Sequence, residues 1–146
     1  DLDADKREES KDVSEKSIKG MHVLLAEDNE LNMEIAEFLL QNEGAEVTKA
    51  WNGQEIVELF RKSESGEFDV ILMDIMMPII NGYEAAKRIR SLDREDAKKI
   101  PIIAMTANAF TEDRIRAKEA GMDEHVAKPI DVELLIKVIH KLVKHN

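Results

Sequence analysis

With 146 residues, 43% of them hydrophobic, the chain has the size and apolar content expected of one domain around one core. Twenty-one basic against 31 acidic residues leave a net charge of -10, which argues against nucleic acid as a partner because counterion release needs clustered Lys and Arg. The absence of cysteine excludes a disulfide framework and thiolate chemistry, and no apolar run approaches the roughly 18 residues of a membrane span. A cytoplasmic setting without direct membrane contact is therefore expected, and a membrane-anchored parent protein is compatible with it.

Residues 1 to 20 carry seven acids and five bases, with only Leu2, Val13 and Ile18 as sizeable apolar groups. Such a segment buries too little to offset its ordering entropy, so 1–19 reads as a polar flexible linker and 20–146 as the domain. From Gly20 onward, short apolar runs at 22–26, 45–50, 69–74, 100–106 and 125–127 alternate with segments of helical period at 30–43, 53–63, 81–92, 111–120 and 131–145. Turn signals at Gly44, Asn52-Gly53, Gly66, Asn81-Gly82 and Gly121 separate them. Five near-continuously apolar strands alternating with five helices predict an α/β fold with a parallel sheet covered on both faces. Right-handed crossovers then favour the open, doubly wound five-stranded form.

Sheets of this kind bind ligands beyond the carboxyl ends of their strands. The charged residues cluster at that address. Glu27 and Asp28 end the first strand, Asp74 the third and Lys128 follows the fifth, while Thr106 ends the fourth. Three carboxylates held together repel, so one takes up a proton or a cation fills the space. An oxygen-only set without His or Cys suits Mg2+. With a Lys to neutralise charge, the ensemble suits attack by the Asp74 carboxylate on phosphorus. Each residue also has a plainer reading. Glu27-Asp28-Asn29 could simply cap a helix, Lys128 could be a solvated charge, and Thr106 an ordinary strand residue.

The motifs Leu25-Ala26-Glu27-Asp28-Asn29, Met73-Asp74, Met77-Pro78, Gly82-Tyr83-Glu84-Ala85, Met105-Thr106-Ala107-Asn108-Ala109-Phe110, Ala120-Gly121-Met122-Asp123 and Lys128-Pro129-Ile130 together resemble the response regulator receiver domains of two-component signalling, and most closely those attached to hybrid histidine kinases. The resemblance spans about residues 20 to 146. It implies a flavodoxin-like (βα)5 sheet of strand order 2-1-3-4-5. It also implies that Asp74 takes a phosphoryl group from a phosphohistidine, with Mg2+ held by Asp28, Asp74 and the backbone carbonyl of Met76, and Glu27 acting through a metal-bound water. Thr106 and Lys128 would bind phosphoryl oxygens beside a small Ala107, and the Lys128-Pro129 bond would be cis. The sequence departs from the family pattern in three places. Ile80-Asn81 precedes the glycine, His125 stands where the family carries its aromatic switch residue, and Met76 presents an apolar side chain that would hinder water.

On the first helix, Leu31, Met33, Ile35, Ala36, Phe38, Leu39 and Leu40 spread over roughly 220°, wider than the stripe of little more than 100° that a core needs. The flank carrying Leu31 or Met33 is expected to dock a histidine phosphotransfer domain or the kinase's dimerisation helices. Three other readings remain open from the residues. A stand-alone regulator would carry the same motifs. A flavodoxin-like cofactor module would share the architecture, but Glu27-Asp28 would repel the phosphate its first loop must cradle. A metal-dependent phosphohydrolase would need a second positioned acid or base, which Met76 does not supply.

Overall fold

The computed structural model describes residues 17–107 and 111–144. Most of the expected linker, the motif residues Asn108-Ala109-Phe110 and the last residue of the final predicted helix lie outside the described residues. Five parallel strands run β1 (His22–Ala26), β2 (Glu46–Ala50), β3 (Val70–Asp74), β4 (Ile102–Thr106) and β5 (Glu124–Ala127), in sheet order β2-β1-β3-β4-β5. The helices are α1 (Glu30–Asn42), α2 (Gly53–Lys62), α3 (Gly82–Arg90), a short α4 (Glu95–Lys99), α5 (Thr111–Glu119) and α6 (Val132–Lys144). The doubly wound architecture, the strand order and all five expected helices are as the sequence predicts.

Because side chains alternate across a strand, each central strand feeds two cores. Leu24, Ala26, Ile71, Met73, Ile102 and Ala104 pack with Ile56 and Phe60 of α2 and Ala85 and Ile89 of α3. Val23, Leu25, Val70, Leu72, Ile103 and Met105 pack on the opposite face with Met33, Ala36 and Leu40 of α1 and Leu135 and Ile139 of α6. Every residue of β3 and β4 is buried, which is why those runs read as continuously apolar. The helices after β1, β2 and β3 start at an Asn whose side-chain oxygen accepts a backbone N–H: Asn29 from Asn32 at 2.9 Å, Asn52 from Glu55 at 2.7 Å and Asn81 from Glu84 at 2.9 Å.

Two features depart from expectation. Ile18, assigned to the linker, is fully buried in the second core, and the ring Nε2 of His140 lies 3.1 Å from the Ser17 carbonyl. A single apolar residue in a charged stretch carries no periodicity, so its packing could not be read from pattern. The helix α4 was not foreseen because five residues hold too few apolar positions to show a period. It is pinned by Arg94, which donates to the carbonyls of Phe60 at 2.8 Å and Ser63 at 2.9 Å, pairs with Asp96 at 2.7 Å and stacks over the Phe60 ring.

Asp96 also accepts the Gly66 N–H at 3.0 Å. Burial raises its pKa, but the Arg94 hydrogen bonds, the Gly66 and Ala97 N–H groups and the Arg94 charge outweigh this and lower it below 3.8. A depressed carboxyl contributes stability above its unfolded pKa and loses it as pH falls through the folded value. Asp96→Asn is therefore expected to cost about 1 kcal/mol at pH 7 in urea unfolding. The deficit should shrink as the pH is taken below 3.8.

Candidate functional site

Sheet register brings the site together. Ala26 pairs with Met73, Asp74 with Met105, and Thr106 with Ala127. Glu27, Asp74, Thr106 and Lys128 consequently sit at or one residue past the carboxyl ends of four adjacent strands. The Lys128 N–H donates to the Thr106 carbonyl at 2.9 Å, fixing the chain as it leaves β5. The Lys128-Pro129 bond that follows is cis, as expected.

The Lys128 ammonium is shared by two carboxylates. Its Nζ lies 2.8 Å from Asp74 Oδ2 and 2.9 Å from Glu27 Oε2. Glu27 and Asp74 are buried, at 2% and 4% exposure, so neither charge can rely on water. The remaining oxygens take backbone donors: Asp74 Oδ1 accepts the Met76 N–H at 3.3 Å and Glu27 Oε1 the Asn29 N–H at 3.1 Å. Partial burial of the ammonium would lower the Lys128 pKa, but hydrogen bonds to Asp74 and Glu27 and their charges override it and raise it above 10.5. The lysine is thus charged throughout the neutral range.

Asp28 completes the cluster from the exposed rim. Glu27, Asp28 and Asp74 each offer an oxygen, and the three lie within 4.8 Å of one another. Three negative charges against one ammonium leave the pocket at about -2. A hard divalent cation fits that balance and the oxygen-only donor set.

Thr106 is buried at the end of β4, where the sequence expectation put it. His125 is not drawn into the carboxylate cluster. It is half-buried on β5 opposite Ala104, with Nδ1 3.6 Å from Glu124. Met76 is 77% exposed, so its side chain stands at the rim with its backbone turned to Asp74. The docking expectation for Met33 is corrected, since at 1% exposure it lies in the core with Ala36 and Leu40. The free flank of α1 carries Leu31, Ile35 and Phe38, at 64%, 48% and 67% exposure.

Two residues shape the loop after β3 in ways the sequence did not show. A Cβ on Gly82 would lie 2.6 Å from the Asp74 carbonyl oxygen and 2.9 Å from the Ile75 Cα, so glycine alone lets α3 start against the Asp74 backbone. The Asn81-Gly82 pair signalled a turn but not this approach. Ile79 adopts φ 73° while 68% exposed, a left-handed conformation unfavourable for a β-branched residue, and nothing in its residue type signals it.

A family model described as the response regulator receiver domain matches residues 23–140. The hybrid signal transduction histidine kinase I of Dictyostelium discoideum is 40% identical over 120 residues, covering 81% of this chain and 7% of that protein. Histidine kinase 1 of Arabidopsis thaliana is 35% identical over 161 residues, 90% of this chain and 13% of that protein, so the chain spans a small fraction of both relatives. Among solved structures, the receiver domain of a sensor histidine kinase from Pseudomonas aeruginosa PAO1, with a magnesium ion coordinated in its active site cleft, is similar with TM-score 0.76 and 34% identity. That likeness covers 86% of this chain and 98% of the other. The receiver domain of Ssk1 from Saccharomyces cerevisiae, crystallised with the histidine phosphotransfer protein Ypd1, gives TM-score 0.75 and 29% identity over 86% of this chain and 90% of the other.

Removing the lysine should show what holds the pocket together. Lys128→Met strands two buried carboxylates without a counterion. It is expected to cost about 2–3 kcal/mol at pH 7, below the full value for a buried pair because Lys128 is partly exposed. Urea unfolding of the two proteins at pH 7 measures the difference.

Proposed function

The chain belongs to the response regulator receiver domain family, and we propose that it accepts a phosphoryl group on Asp74 within a two-component phosphorelay, as a receiver segment of a hybrid histidine kinase. The observation that carries this reading is the buried Asp74 carboxylate bound at 2.8 Å by Lys128 beside two further acids. The likeness to kinase receivers over most of the chain supports the hybrid setting. On packing grounds the receiver unit begins near Ile18, and the residues before it serve as the connecting segment.

In the reaction an Asp74 carboxylate oxygen attacks phosphorus and forms an O–P bond. The N–P bond of the donor phosphohistidine breaks, and the imidazole leaves with the electron pair. The backbone N–H of Met76 on Oδ1 and the Lys128 ammonium on Oδ2 orient the carboxylate before attack. As the group arrives, Lys128 follows the new charge onto a phosphoryl oxygen while retaining Glu27 as its second anchor. Thr106 provides the hydroxyl that turns toward the group, which at about -1.5 to -2 charge is the strongest acceptor in the pocket. Glu27, Asp28, Asp74 and the Met76 carbonyl would hold Mg2+, which supplies positive charge against the transferring group when bound. His125, half-buried on β5, occupies the switch position and would answer Thr106 through the β4–β5 pairing.

A donor must bring its phosphohistidine to an acid that is only 4% exposed, so it must cover the rim around the site. The exposed α1 flank of Leu31, Ile35 and Phe38 offers an apolar helix face for that contact, suited to a helical histidine phosphotransfer domain or the kinase's dimerisation helices. Glu27, Asn32, Ile35, Lys128, Pro129 and Ile130 line one small cleft, which joins this flank to the pocket.

Intact mass after incubation with acetyl phosphate and Mg2+ tests the acceptor assignment. The wild-type chain should gain one phosphate and Asp74→Asn none, and labelling of the variant would exclude Asp74. Docking is tested separately with Phe38→Glu. Transfer from a phosphohistidine protein should slow by about tenfold or more, the loss of one apolar anchor, while labelling by acetyl phosphate stays unchanged. Equal loss with both donors would remove α1 from the docking surface.

A further inference from the structure

A second cavity, distinct from the carboxylate pocket, lies between α5, β5 and α6. It measures about 370 Å3 and is lined by Arg114, Ala117, Lys118, Met122, Asp123, Glu124, His125 and Lys141. In a chain of net charge -10 this wall carries three cations. Its two acids are already engaged. Asp123 Oδ2 takes the Arg90 guanidinium at 2.9 Å and the Ile102 N–H at 2.8 Å, and Arg90 also donates to the Gly121 carbonyl. Glu124 faces Lys141 at 3.5 Å and the His125 ring at 3.6 Å.

The side chains of Arg114 and Lys118 have no ion-pair or hydrogen-bond partner among the described residues. Four residues apart on α5, they lie on one helix face, where i and i+4 positions are neighbours. Ala117 and Met122, both buried, form an apolar floor between them and β5. Two uncompensated cations, a third on the facing helix held only by a long bridge, and a small apolar floor make a receptor for charge rather than for surface area.

We propose that this cavity binds a small organic polyanion, with two acidic groups on Arg114 and Lys118 and its carbon body over Ala117 and Met122. A guanidinium engages a phosphate or carboxylate through two parallel hydrogen bonds, and the lysine adds a point charge. Phosphate esters and polycarboxylates share this chemistry. The volume falls in the range of small-molecule sites, about 300–1,000 Å3. The inference does not depend on the phosphoryl acceptor role, because none of the lining residues belongs to the Glu27, Asp74 and Lys128 cluster.

Amide NMR of the full chain, without divalent metal, tests the proposal with three probes: inorganic pyrophosphate, citrate and inorganic phosphate. Pyrophosphate or citrate is expected to shift Ala117, Met122 and His125 in a saturable manner, with inorganic phosphate at least about tenfold weaker because it cannot span both cations. Response to pyrophosphate alone identifies phosphate esters as the ligand source, and response to citrate alone identifies polycarboxylates. Arg114→Gln with Lys118→Gln, both exposed positions, should weaken binding at least about tenfold while leaving acetyl phosphate labelling of Asp74 intact. Three results would each overturn the assignment: no saturable shift at millimolar probe, equal response to all three anions, or binding unchanged in the double variant.

Discussion

The ammonium of Lys128 is the interaction on which the rest of the site depends. Two carboxylates lie almost out of reach of solvent, and their negative charges are tolerable only because one cation touches both. That arrangement requires β1, β3 and β5 to end at one level, which the parallel registers secure through β4. It also leaves the pocket short of positive charge once the exposed Asp28 is included. The stabilising contact and the residual negative charge thus share a cause, since the pocket is held by a lysine that only partly neutralises it.

Around this centre the backbone is arranged for close approach. Gly82 allows the start of α3 to press against the Asp74 carbonyl, and the same helix carries Ala85 and Ile89 into the core beneath the sheet. The loop between them holds Ile79 at a left-handed φ while its side chain faces solvent. Strain of this kind persists only where neighbouring structure fixes it, and here the β3 end on one side and the Asn81 cap on the other do so. The Asp74 carboxylate is consequently presented by a short, tightly determined loop.

The two helical layers have different tasks. On one face α2 and α3 close a core with Phe60 and Ile89, and Arg94 ties the end of α2 to α4. On the other, α1 buries Met33, Ala36 and Leu40 yet leaves Leu31, Ile35 and Phe38 outside. The exposed apolar flank therefore lies beside the carboxylate pocket, on the side of α1 that the core does not use. The far wall formed by α5 and α6 is charged instead, which separates the polar cavity from the apolar rim.

Strand positions, the parallel sheet and the acids at strand ends were legible because they follow from local rules: apolar runs mark buried strands, and charge cannot sit inside them. The convergence of Glu27, Asp28, Asp74 and Lys128 was likewise open to reading, since all four stand at the carboxyl ends of strands in one parallel sheet. The side of α1 that meets the sheet was not, because a helical wheel orders residues by angle without naming the angle that faces the core. Met33 and Leu31 were therefore indistinguishable until packing buried one and exposed the other. Ile18, the α4 turn and the cavity at Arg114 were hidden for a related reason: each depends on partners from other elements of the fold, which no local pattern announces. Sequence alone determined the five strands, their parallel sheet and the charged groups at their ends, whereas tertiary packing decided which surfaces stay exposed, since exposure is what neighbours leave uncovered.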